Sequence, residues 1–90
     1  MAPARKSTKS LRSHEHRALR ALLVQAREKA KLTQTELARR LGKPQSFISK
    51  YESGERRLDV VEFMAVARAL RLDPASLIRA LTRASGRATT

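Results

Sequence analysis

The chain has 90 residues, with 20 Lys and Arg against 8 Asp and Glu, and so carries a formal net charge of +12 at neutral pH. That length accommodates one folded domain and excludes a second module. The absence of cysteine excludes a disulfide framework, thiolate catalysis and sulfur-rich zinc sites, and fits a reducing compartment.

The longest apolar run, Phe63 to Ala67, is far short of the roughly 18 residues of a membrane helix. The N-terminus also lacks the hydrophobic block of a secretory signal, so a soluble, cytoplasmic protein is expected. With 14 Ala and 12 Leu but only 3% aromatic residues, the apolar content favours packed helices over a sheet. The charge calls for a polyanionic partner, for which nucleic acid and an anionic membrane surface are the physical candidates.

Residues 1–12 hold Arg5, Lys6, Lys9 and Arg12, no acid and little apolar bulk. They are expected to form a flexible basic arm. The folded part is expected to span residues 13–81, with a net charge of +6 from 14 basic and 8 acidic residues, and residues 82–90 to form a flexible tail.

From Ser13, the spacing of Leu19, Leu22, Leu23, Ala26 and Ala30 predicts a helix reaching about Ala30. Thr33 and Glu36 form a capping box that opens a second helix, which Gly42 ends. Pro44 suits the start of a third helix, which Gly54 ends. Asp59 and Glu62 repeat the capping pattern and open a fourth helix, with Phe63, Val66, Ala67 and Leu70 facing inward. Asp73 and Pro74 open a fifth, carrying Leu77, Ile78 and Leu81. An all-α chain of five short helices follows, with no internal repeat.

The stretch QTELARRLGKPQSFISKYES, from Gln34 to Ser53, meets the demands of a helix-turn-helix. Ala38 is the small residue where two helices cross closely. Gly42 tolerates positive φ in the turn, and Ile48 points back into the angle, with Leu37, Leu41 and Tyr51 completing the wedge. At 100° per residue from Gln45, the apolar Phe47, Ile48 and Tyr51 lie between about 200 and 300°, whereas Gln45, Ser46, Ser49 and Lys50 lie between about 0 and 140°. An amide, two hydroxyls and an amine are groups that read base edges. Glutamine can bond adenine N6 and N7, lysine can reach guanine O6 and N7, and serine is permissive.

These residues resemble the helix-turn-helix domains of the phage repressor and Cro type, the XRE family. The resemblance covers about Leu19 to Leu81 and rests on LTQTELARRLG, QSFISKYESGERRLD and VVEFMAVARALRLDP. It implies a compact five-helix lambda-repressor-like DNA-binding domain whose recognition helix spans 45–53. By the same resemblance, Gln34 bonds a phosphate and braces Gln45. Gln45, Ser46, Ser49 and Lys50 occupy base-contacting places, Arg56 and Arg57 approach the phosphate backbone, and Lys43 adds a phosphate contact. Arg27 and Glu52 match the family's structural ion pair. Two residues depart from the pattern: Lys43 stands where an apolar residue is common, and Pro44 replaces the usual Ser or Thr cap.

Other features are read more plainly. Arg39, Arg40, Arg68 and Arg71 are solvated charges on helix faces. His14 and His16 point about 200° apart on a helix and cannot chelate one ion, so no metal or cofactor is expected. Nothing resembles a catalytic constellation, and an enzyme is not expected. Leu77, Ile78 and Leu81 can complete the core or form a dimer seam, and a small core without disulfides favours the homodimer. The expected function is a sequence-specific transcriptional regulator, a repressor that binds an inverted repeat of double-stranded DNA as a dimer. The alternative is an antitoxin or adaptor that holds a protein partner and represses its own promoter. Membrane association through the first helix would leave the polar front of the third without a purpose.

Overall fold

The computed structural model describes the backbone of residues 2–86 and the side chains of residues 14–84; the ends of the two expected tails, residue 1 and residues 87–90, lie outside the described residues. The chain order is α1 (Ala2–Lys29), α2 (Gln34–Leu41), α3 (Gln45–Ser53), α4 (Val60–Ala69) and α5 (Pro74–Gly86), with no strand among the described residues. None of these helices is long and apolar enough to cross a membrane.

Local chemistry sets most of the boundaries. At α2 the Thr33 hydroxyl accepts from the Glu36 amide at 3.0 Å, and the Thr33 amide donates to the Glu36 carboxylate at 2.8 Å. Asp59 and Glu62 repeat the exchange at α4, at 2.7 and 3.0 Å. Asp73 accepts from the Ala75 amide and the Ser76 hydroxyl, with Pro74 in the first helical position.

Three helices end in the same way. The amides of Lys31, Gly42 and Arg71 bond back to Glu28, Arg39 and Arg68, and those of Leu32, Lys43 and Leu72 to Arg27, Ala38 and Ala67. This is the Schellman arrangement, which needs a left-handed residue. Gly42 takes it at φ 67°, as expected, while Lys31 and Arg71 take it at φ 59° and 61° without being glycine.

Both end helices run into the spans read as arm and tail. The backbone of residues 2–12, expected as a flexible arm, is a continuation of α1, and α5 runs past Leu81 to Gly86. Adding turns to an existing helix needs no new nucleus. Pro3 falls in the first turn of α1, where its missing N–H removes no helical bond.

The core sits where the helices converge. Leu37 and Ala38 of α2 meet Phe47, Ile48 and Tyr51 of α3, and Leu23 closes them from α1. Phe63, Val66, Ala67 and Leu70 enter from α4 and its end, and Leu77 from α5. Leu23, Leu37, Ile48 and Val66 are at most 1% exposed, so truncating any of them to alanine should cost about 2–5 kcal/mol. Phe47 and Tyr51 pack edge to face, with centroids 5.7 Å apart.

Candidate nucleic-acid interface

The α2–turn–α3 unit holds α3 by its apolar back. Phe47, Ile48 and Tyr51 are buried, whereas Gln45, Ser46 and Lys50 are exposed and Ser49 is half-buried. The two faces therefore divide as the helical rotation predicts, and no other described element covers the polar one. The Ser49 hydroxyl donates to the Ser46 carbonyl at 3.3 Å, and the Ser53 hydroxyl to the Lys50 carbonyl at 3.1 Å. The Ser49 proton is thereby spent on its own helix and its oxygen is left as an acceptor, whereas the Ser53 oxygen already accepts from the Glu55 amide at 3.4 Å.

Behind this face four side chains form one chain of hydrogen bonds. Arg27 donates Nε to Glu52 Oε2 at 2.8 Å and Nη2 to Oε1 at 3.1 Å, and Nη1 bonds the Leu32 carbonyl at 2.7 Å. Gln34 Nε2 donates to the same Glu52 Oε1 at 2.8 Å, and Gln45 Nε2 donates to Gln34 Oε1 at 2.6 Å. The expected ion pair and the expected glutamine brace are thus one connected unit. Because the ionised carboxylate only accepts, Gln34 must turn its NH₂ toward Glu52 and its oxygen toward Gln45. Gln45 in turn commits one N–H inward and presents its other N–H and its carbonyl oxygen outward. A donor beside an acceptor is the pair that adenine N7 and N6 require. The bond that joins the two, from Gln34 to Glu52, does not show in the sequence, because these residues lie 18 positions apart in the chain.

The expected phosphate contacts separate into different roles. Gln34 is half-buried within the relay, and Lys43 is exposed with its Nζ 5.5 Å from the Phe47 ring centroid. Arg57 is exposed and makes no ion pair among the described residues. Arg56 is held by a neighbouring acid. Its guanidinium bonds both oxygens of Glu62, at 3.0 and 2.6 Å, and the Arg57 carbonyl at 3.1 Å, while lying 4.7 Å from the Phe47 centroid. Its charge pairs with the carboxylate that also caps α4, which ties the loop to α4 while the Arg56 side chain stays 38% exposed. Bonds from Arg56 first, then the Asp59 amide, hold the Glu62 carboxyl down at about 2. Pro44 supplies no side-chain cap, so the first amides of α3 have no side-chain acceptor.

The three residues of the expected dimer seam differ in exposure. Leu77 is 9% exposed and belongs to the core, while Ile78 is 48% exposed and Leu81 is half-buried. A 100° step between Leu77 and Ile78 sends them to different surroundings.

A family model described as helix-turn-helix matches residues 23–77. Among solved structures, an XRE-family like protein from Pseudomonas syringae pv. tomato str. DC3000 is similar at 49% identity, over 86% of this chain and 94% of that chain, with a TM-score of 0.83. No curated protein matches the sequence.

Proposed function

This chain belongs to the XRE family of helix-turn-helix DNA-binding transcription regulators, and from that premise we propose that it is a repressor that reads an inverted-repeat operator as a homodimer. The observation that carries the reading is the uncovered polar face of α3, backed by a relay that orients the Gln45 amide. In the complex α3 enters the major groove. Gln45 bonds an adenine through its outward N–H and oxygen, Lys50 reaches guanine, and Ser46 and Ser49 accept from neighbouring bases. Gln34, Lys43 and Arg57 hold phosphates, which fix register without reading sequence.

Two copies related by a two-fold axis present their recognition helices about 34 Å apart, one turn of the duplex. Ile78 and Leu81 of α5 remain the seam residues, with Leu77 withdrawn into the core. No ion or cofactor takes part in this mechanism. Repression follows when the bound dimer occupies a promoter.

Selection of bound duplexes from a random pool tests the reading. The expected result is an enriched inverted repeat with half-sites about one turn apart. A pool that stays random after several rounds would contradict it.

A further inference from the structure

Arg17 and Arg20 of α1 have no part in the interface described so far, yet they meet Arg57 at one place. An open depression of about 220 Å³ lies between α1 and the end of α3, lined by His16, Arg17, Arg20, Ser53, Gly54 and Arg57. No carboxylate lines it, and among the described residues none of the three guanidiniums makes an ion pair. Neighbouring Glu52 is already occupied by Arg27 and Gln34.

The Arg20 guanidinium lies over the backbone of Gly54. Gly54 adopts φ +91°, and a Cβ added there would collide with the Arg20 guanidinium. Arg20 Nε is buried without a hydrogen-bond partner. Three guanidiniums that line one depression without a carboxylate leave N–H donors for an anion to accept from.

Resting on the proposed DNA-binding reading, we propose that this depression is a phosphate seat, in which Arg17, Arg20 and Arg57, with the His16 ring, hold a backbone phosphate of the duplex that α3 enters. Its position supports a duplex over a free anion. Ser53 lies at about 80° on the helical rotation that starts from Gln45, inside the polar sector and one turn beyond Ser49. The depression therefore opens at the C-terminal end of the reading face. Guanidinium forks match the paired oxygens of a phosphate. Burial, then the charges of Arg57 and Arg20, hold His16 below its ordinary value, which keeps it a neutral ring able to donate one N–H.

Two arms test the proposal on the full chain. In the first, without DNA, the His16 titration is followed by NMR in inorganic phosphate and in sodium chloride of equal ionic strength. The expected result is a rise in the His16 pKa in phosphate over that in sodium chloride, and loss of that rise in Arg20→Gln. In the second, affinity for the selected operator is measured against salt. Arg20→Gln should flatten the log–log slope by about 0.9, the value for one neutralised phosphate, and Arg20→Lys should restore it. Base preferences should not change. Arg17→Gln, at an exposed site, repeats the measurement without risk to the fold.

If the wild type selects an operator but Arg20→Gln and Arg17→Gln leave the slope unchanged, the backbone-phosphate seat is overturned while the regulator reading stands. A His16 response to phosphate alongside unchanged slopes would overturn the duplex as the ligand and leave free phosphate in its place. If the wild type selects no DNA, the regulator reading and the duplex as ligand both fail, and the first arm alone decides whether the depression holds phosphate.

Discussion

Gln45 Nε2 donates to Gln34 Oε1 at 2.6 Å, and the direction of that bond is imposed from behind by Glu52, which accepts from Gln34 Nε2 at 2.8 Å. A half-buried carboxylate therefore reaches the reading face through two amides. Removing the middle amide should free Gln45 to rotate. In Gln34→Leu, the preference for adenine over guanine at one operator position should fall by roughly tenfold, within the 1–3 kcal/mol of a bidentate pair. Selection and sequencing of bound duplexes would show the loss at that position alone.

The Arg27–Glu52 pair is a second point of control, with side chains only 13% and 8% exposed. Arg27→Met strands the Glu52 charge in a low-dielectric site and should destabilise the fold by about 3 kcal/mol in urea unfolding. The double variant Arg27→Met with Glu52→Leu should recover most of that stability. It should not recover base preference, because the relay has lost its acceptor.

Tyr51 fills the core, but its hydroxyl is buried without a hydrogen-bond partner. Burial first, then the Glu52 charge, push its phenol above the ordinary value. Tyr51→Phe should therefore match the wild type or exceed it by about 1 kcal/mol at neutral pH. A group raised on folding contributes stability below its unfolded value of about 10 and loses it as pH rises beyond. The phenylalanine variant should lack that alkaline decline in thermal unfolding.

Acid tests the loop after α3. Glu62 sits at about 2, held there by Arg56 and the Asp59 amide. Its value is depressed on folding, so its contribution is complete above the ordinary carboxylate range near 4.3 and is lost as pH falls through about 2. Between pH 5 and pH 2, Tm should fall less steeply in Glu62→Gln than in the wild type.

Features set by residues close together in the chain were legible in the sequence. Thr33 with Glu36, and Asp59 with Glu62, announce their helices because a capping box closes within one turn. Gly42 announces its stop, and the rotation of α3 separates Phe47, Ile48 and Tyr51 from Gln45, Ser46 and Lys50. The first and fourth helices end within a residue of where their apolar spacing places them, but the left-handed stops at Lys31 and Arg71 were not legible, because a Schellman stop without glycine leaves no compositional mark. The pairing of Arg56 with Glu62 was not legible, because it forms only when the loop folds against α4. The basic depression joins His16, Arg17 and Arg20 to Arg57 across α1 and the loop after α3, a proximity that only tertiary packing creates.

The most direct test of the reading face compares Gln45→Ala and Arg57→Ala on the same randomised duplex library. Gln45→Ala should erase the preference at one base position in each half-site and leave the others intact. Arg57→Ala should weaken every sequence by the same factor. If Gln45→Ala instead lowered affinity uniformly across the library, the polar side of α3 would not be reading bases.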